Sequence, residues 1–386
     1  MIAAFALAGL LATGGATAAP VRAFAAAPMY LPTSGERTVD YVHVVIPLKL
    51  TFAGHDLRIT LSNAHGHEAA TIASAVLRVA GHDYPLTFGG ATAVTLPVGA
   101  PMTSDAVPAH VAAEQIIDLD LRLDQPTVLA AVHRDPLNPA RIVDGHGLEN
   151  ETVMRPFLAA VDVTPDEGRR GTPAATIVAL GDSISDWDCR YATPEPCMWE
   201  AELARRLARA GKPYAIANAA ISADRILTDG PGGNAPWDGL SALARFDRDV
   251  LAVPGGRYVV MLMGTNDIGM SGQNGAPVVS AEAVIGGMKQ LILRAHAHGL
   301  KIYGAPILPF RGHTSYSAEK EAVRQAVNAW MRDGHAFDGL IDFAGAVADP
   351  ADPGKLAAAF DNGDHLHPNG AGQKAMGDAI DLRLFK

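Results

Sequence analysis

The sequence has no excess of positive charge. Its 31 Lys and Arg stand against 41 Asp and Glu, for a formal net charge of -10. That balance excludes nucleic acid and anionic membrane as main partners, and it disfavours a strongly acidic polymer as substrate. Past the N-terminus no run is long and apolar enough to span a bilayer as a helix, so no transmembrane span is expected in the mature chain. Cysteine is scarce: only Cys189 and Cys197 are present. A single bridge closing one short loop is the most they can form, and it requires an oxidising compartment. Neither has an activating histidine close by in sequence, so neither reads as a nucleophile. Internal repeats are missing, and so is low complexity beyond an alanine-rich start. Gly264 to Asp267 lacks the glycine spacing and the lysine of a phosphate loop. His55, His65, His67 and Glu68 lie close in sequence, but no cysteine or further paired histidine completes a ligand set, and no metal is expected.

What is present begins with an apolar run from Met1 to Ala12, followed by the small-residue cleavage pattern Ala16-Thr17-Ala18. It reads as a signal peptide over residues 1–18, although no Lys or Arg precedes the run, and an uncleaved anchor is the alternative. Export places the protein outside the cytoplasm, secreted or periplasmic. The remaining length suits two domains.

Residues 28–162 read as an antiparallel β-sandwich. Leu57 to Leu61 and Ile117 to Leu123 alternate apolar and polar residues. Tyr41 to Ile46, Thr71 to Val79, Ala93 to Leu96 and Thr127 to His133 add further strands between turn residues. Residues 163–174, with Pro165, Gly168, Gly171 and Pro173, read as an exposed linker. From 175 to 386 strands and helices alternate, which predicts βαβ units and a flavodoxin-like three-layer α/β domain with a parallel sheet. Strands are expected at Thr176 to Leu180, Tyr214 to Asn218, Tyr258 to Met263, Lys301 to Ile307 and Leu340 to Phe343. Helices are expected at Met198 to Ala210, Ser241 to Leu251, Ala281 to His298, Ala318 to Met331 and Gly370 to Leu384.

Four polar clusters follow this pattern. Gly181-Asp182-Ser183 ends the apolar run Ile177 to Leu180. Asn218 to Ala223 and Gly264 to Asp267 each follow a strand. Asp364-His365-Leu366-His367-Pro368-Asn369 precedes the last helix. Parallel strands gather their carboxyl ends on one edge, so separate clusters converge on one crevice. Together they hold what ester cleavage needs. Ser183 is a nucleophile, His367 a base to take its proton, and Asp364 a carboxylate to hold the imidazole. The Asn266 amide and the N–H groups of Ser183 and Ala223 are candidate donors to an oxyanion. His365 competes as base, with Asp361 at helical spacing. Asp182 and Asp267 read as structural acceptors. Trp237, after the glycine-rich loop from Gly230, would wall a pocket.

In this order the blocks resemble the SGNH, or GDSL, hydrolase superfamily, whose blocks centre on Ser, Gly, Asn and His. The resemblance covers Ala175 to the C-terminus. It implies Ser183 and His367 as catalytic with Asp364, and Asn266 in the oxyanion hole. One departure stands out: Ala223 occupies the position where the family normally offers glycine. Some subgroups join this domain to an N-terminal β-sandwich, and members act on sugar esters or small acyl esters. The resemblance therefore implies a serine ester hydrolase for short acyl or acetyl esters, with no cofactor and a small-molecule or glycan ester as partner. A lipid or aryl esterase, an acyltransferase, and an inactive carbohydrate-binding protein are the alternatives.

Overall fold

The computed structural model describes residues 18–30, 37–129, 131–135, 138–144, 149–152, 154–166, 173–186, 198–230, 239–273 and 278–386. Cys189, Cys197, Trp237 and the expected signal segment up to residue 17 lie outside the described residues.

Among the described residues the N-terminal strands form two larger antiparallel sheets, with three small ones of two or three strands beside them. In the first, Val21–Ala25 pairs with Leu158–Thr164, which pairs with Gly54–Ser62, and the short strands Pro101–Thr103 and Val107–Val111 both pair with the latter. The second runs Glu149–Thr152, Ala140–Val143, Val42–Lys49, Ile116–Leu123, Ser74–Val79, His82–Pro85. Alternation sets its register. Ile117, Leu119, Leu121 and Leu123 face Leu48, Ile46, Val44 and Val42 across the ladder. All eight are buried, in one core with Leu57, Ile59 and Leu61 of the first sheet. Each such side chain taken from water contributes about 1.5–3 kcal/mol, which is what holds the two faces together. The expected strand Thr71 to Val79 is divided: Ala70–Ile72 pairs with Val94–Leu96, and Ser74–Val79 pairs with Ile116–Leu123. The Ala73 N–H marks the break by donating to the Arg122 carbonyl.

The C-terminal half has a five-stranded parallel sheet of β1 (Ala175–Gly181), β2 (Tyr214–Asn218), β3 (Gly256–Leu262), β4 (Lys301–Gly304) and β5 (Gly339–Leu340). Its spatial order is β2-β1-β3-β4-β5, the flavodoxin-like order. Every residue of β1 is buried, as an unbroken apolar run between two helical layers demands. Period-two alternation sends Val178, Leu180, Val259 and Met261 to one face, against α3 (Ala242–Phe246), α5 (Ala281–Ala297) and α6 (Ala318–Asp333). It sends Ile177, Ala179, Val260 and Leu262 to the other, against α2 (Trp199–Arg209), α7 (Phe343–Val347) and α8 (Gly370–Ala379).

Four elements differ from expectation. The strand expected at Leu340 to Phe343 is only Gly339–Leu340, because Asp342 caps a helix that Phe343 opens. The expected helix Ser241 to Leu251 ends as a π-helical turn, Asp247–Leu251. Strand β4 stops at Gly304 because α6 side chains take over the backbone beyond it. The Ile307 N–H donates to Asn328 Oδ1, and its carbonyl accepts from Asn328 Nδ2 and Arg324 Nη1. Helix α8 ends at Ala379, where Ile380 turns extended.

The sandwich lies against the edge strand β2. The Thr51 hydroxyl donates to the Ile216 carbonyl at 2.8 Å and accepts from the Ile216 N–H at 3.1 Å. An exposed parallel edge is a template for unwanted pairing, and this contact covers it. The Arg22 N–H donates to Thr176 Oγ1 at 3.1 Å, joining the sandwich to β1 as well. Among the described residues no helix is long and apolar enough to cross a membrane.

Candidate active site

The site is built at the carboxyl ends of β1, β2 and β3. Strand β1 ends at Gly181, and α1 (Ser183–Asp186) starts two residues later. The turn needs glycine, because a Cβ on Gly181 would lie 2.6 Å from the Ser185 side chain. Asp182 is fully buried, and its Oδ1 accepts from the Ile184 N–H at 3.0 Å. Burial pushes its carboxyl up to about 6. This is a structural position, as read from the sequence.

Ser183 Oγ is 2.7 Å from His367 Nε2. On the far side of the ring, His367 Nδ1 is 2.6 Å from Asp364 Oδ2. The other carboxylate oxygen of Asp364 accepts the N–H groups of Leu366 and His367, each at 2.9 Å. Burial pushes the Asp364 carboxyl up, but the His367 ring, these two N–H groups and the imidazole's charge outweigh it and hold the carboxyl well below the usual carboxylate range. The loop is pinned from behind by Asn369, whose Nδ2 donates to the Ala359 and Asp361 carbonyls while its Oδ1 caps α8. His365 does not reach Ser183 in this arrangement. It pairs with Asp361 at 2.5 Å and is half exposed. His313 is near enough to Asp364, His367 and His365 to feel their charges; burial pulls its imidazole down.

The candidate oxyanion donors come from α1, the β2 loop and α4 (Thr265–Gly269). Asn266 Nδ2 donates one hydrogen to the Asp224 carbonyl at 3.1 Å, which orients the amide. Gly264 opens α4 with φ +113, a conformation open to glycine, and a Cβ there would meet Ile307 at 2.8 Å. Ala223 adopts φ +62, the left-handed region glycine favours, so the departure from the family's glycine is accommodated by strain rather than by a different turn. Among the described residues, the N–H groups of Ser183 and Ala223 find no protein acceptor.

The β2 loop is fastened on both sides of Ala223. Before it, the Ile221 N–H donates to the Gly181 carbonyl and the Ser222 N–H to Asp186 Oδ2 at 2.7 Å. After it, the fully buried Arg245 holds Asp224 through Nε at 2.9 Å and Nη2 at 2.6 Å. Asp267 then accepts the Ile226 and Leu227 N–H groups, at 2.9 and 3.0 Å, a structural role.

Four residues complete this support, and three of them, Gln373, Asp186 and His133, carry no motif in the sequence. Asn218 donates to the Ser185 carbonyl and to Glu200 Oε1. Gln373 ties α8 to α1. Asp186 holds Ser222, and His133 comes from the sandwich, 3.1 Å from Asp186 Oδ1. Only Asn218 had a signal, as a polar residue closing an apolar strand. The histidines near the start of the sandwich do not gather. His65 Nε2 donates to the Pro28 carbonyl, and His55 pairs with Asp56 and lies beside His110.

Comparison with known proteins places the chain in a family. No curated protein matches the chain. Among solved structures, the acetylxylan esterase of Geobacillus stearothermophilus is similar at 20% identity, over 54% of this chain and 93% of that one, with a TM-score of 0.41. A GDSL-like lipase from Bacteroides thetaiotaomicron is similar at 18% identity, over 54% and 87%, with a TM-score of 0.40. The sequence model of the GDSL-like Lipase/Acylhydrolase family matches residues 179–375, just over half of the chain, and the protein belongs to that family.

Proposed function

We propose that the chain is an exported serine esterase that removes short acyl groups, acetyl on carbohydrate among them, through an acyl-enzyme on Ser183. The observation that carries this reading is the unbroken line Asp364 Oδ2, His367 Nδ1, His367 Nε2, Ser183 Oγ, with spacings of 2.6 and 2.7 Å. A hydroxyl is a weak nucleophile until a base within hydrogen-bond reach takes its proton. Ser183 Oγ attacks the ester carbonyl while its proton passes to His367 Nε2. The carbonyl π electrons move onto oxygen, which the N–H groups of Ser183 and Ala223 and the free hydrogen of the Asn266 amide receive. As the carbonyl re-forms, the bond to the alkoxy oxygen breaks and His367 returns the proton to the leaving alcohol. Water then attacks the acyl-enzyme by the same route, releasing the acid and Ser183. Asp364 stays ionised throughout and stabilises the imidazolium.

The substrate class rests on the surroundings of His367. His313, His365 and Asp361 make its rim polar, which suits a hydroxyl-rich leaving alcohol better than a lipid. The test is hydrolysis of p-nitrophenyl esters from acetate to palmitate by the parent and by Ser183→Ala. Activity on acetate that falls with chain length and vanishes in the variant is expected. A maximum at long chains overturns the substrate class, and equal rates in parent and variant overturn the nucleophile.

A further inference from the structure

We propose that His133, a residue of the sandwich, is a positioning residue for the oxyanion loop: it clasps Asp186, and Asp186 holds the Ser222 N–H beside Ala223. The inference rests on the function proposed above and gives the sandwich a part in it.

The geometry runs across both halves of the chain. His133 lies on the strand Ala131–Arg134, with only 10% of its side chain exposed. Its Nδ1 is 3.0 Å from the Ala27 carbonyl and its Nε2 is 3.1 Å from Asp186 Oδ1. A carbonyl oxygen and a carboxylate only accept, so the surroundings of both ring nitrogens favour hydrogen on each, the imidazolium form. The Asp186 side chain is 1% exposed, three residues after Ser183 on α1. Its second oxygen takes the Ser222 N–H at 2.7 Å. Without the imidazolium this carboxylate would be a buried anion with its main counter-charge removed, and such groups protonate or move.

A second contact acts on the same loop. Ala27 and Met29 of the sandwich pack with Ile221 in a small separate core. The segment that accepts the His133 proton is therefore the one that covers the residue before Ser222. Ala223 follows in a strained backbone conformation, which persists only where its surroundings over-determine it. Arg245 and Asp224 hold one side of it, and the Asp186–Ser222 bond holds the other. Loosening the second lets the Ala223 N–H turn away from the developing oxyanion.

The other charges facing His133 are accounted for. Asp135, on the same segment, is paired with Arg155 at 2.7 Å; Arg155 stands opposite His133 in the ladder. Lys49 and Glu114 pair with each other at 2.9 Å on the rim of an adjoining cavity of about 180 Å³, which Glu200 of α2 also lines. Burial pulls the His133 ring down, but the Asp186 carboxylate and the Ala27 carbonyl outweigh it and hold the ring above the usual histidine range.

The test compares the parent with His133→Gln, Asp186→Asn and the double variant on p-nitrophenyl acetate. Ring ¹⁵N shifts of His133 are read in the parent. Glutamine can donate to Asp186 through Nε2, but its other polar atom, Oε1, only accepts and cannot serve the Ala27 carbonyl. The expected result is a fall in kcat of about tenfold with KM changed less than about twofold, below the full cost of losing an oxyanion donor. The double variant should be no slower than the worse single variant, because both act through one bond. The ring should show two protonated nitrogens at neutral pH. A neutral ring, an unchanged kcat in His133→Gln, or additive losses in the double variant overturns the clasp. A parent that cleaves no faster than Ser183→Ala overturns the esterase reading itself, a different result from any of these.

Discussion

Gln373 and Ile184 are 189 positions apart in the chain, and Gln373 Nε2 donates to the Ile184 carbonyl at 2.8 Å. The same amide accepts the Trp199 N–H through Oε1 at 3.1 Å, and Gln373 is fully buried. One side chain on α8 thus satisfies a carbonyl next to Ser183 and an N–H at the start of α2. Gln373→Leu keeps the volume and orphans both groups. Each unmade buried bond costs about 1–3 kcal/mol, so a loss of about 2–6 kcal/mol is expected in urea unfolding. A loss below about 1 kcal/mol would mean that both groups find other partners.

Asp364→Asn removes the acceptor that fixes the His367 tautomer. A fall in kcat of about a thousandfold to ten-thousandfold is expected in ester hydrolysis, with KM nearly unchanged. In the parent the Asp364 carboxyl sits well below its ordinary value. It therefore remains ionised across the acid limb of the rate profile, where a slope of one is expected. The folded pKa is depressed, so the pair's contribution to stability is present above about pH 4 and is lost as pH falls further. A slope of two in the acid limb would place a second titrating group in the reaction.

The difference between Asp364 and His133 shows what a sequence can display. Asp364 and His367 are three residues apart on one loop, so local spacing brings them together and the pair could be read directly. Ser183 was legible because a buried strand stops abruptly before it. His133 meets Asp186 only because the sandwich packs against the α/β half, and no local spacing marks the contact. Local reading failed in the same way at β4. The apolar run continues to Ile307, but Asn328 and Arg324 of α6 take its backbone groups. The left-handed Ala223 was the intermediate case. The missing glycine was visible, while its outcome depended on anchors from Asp186 and Arg245 that lie far away in sequence.

Glu200 is buried on α2, and burial pushes its carboxyl up to about 8. Its Oε1 accepts from Asn218 at 2.7 Å, while its buried Oε2 finds no partner among the described residues. The folded pKa lies above the unfolded one, so the folded state binds the extra proton between about pH 4.3 and pH 8. Stability should fall as pH rises through that window. Glu200→Gln keeps the acceptor and cannot ionise, so its Tm should fall less between pH 5 and pH 8 than the parent's. His133 adds a fall of the same sign above its ordinary range, present in both proteins, so the variant is the correct reference. Parallel Tm curves would show that Glu200 ionises freely in the folded chain.

Ala223→Gly separates backbone strain from loss of a donor. Alanine at φ +62 bears a cost of about 1–2 kcal/mol that glycine does not. Glycine in turn loses more chain entropy on folding, roughly 0.5–1 kcal/mol, so the net change in urea unfolding should be a gain of up to about 1.5 kcal/mol. The N–H is retained, and kcat on p-nitrophenyl acetate should stay within about threefold of the parent, far from the hundredfold or greater loss that follows removal of an oxyanion donor. Combined with His133→Gln, glycine should recover part of the lost kcat, because a residue at ease in this conformation depends less on the Asp186 anchor. A double variant no faster than His133→Gln alone would show that the anchor acts through the direction of the Ser222 peptide and not through strain at Ala223.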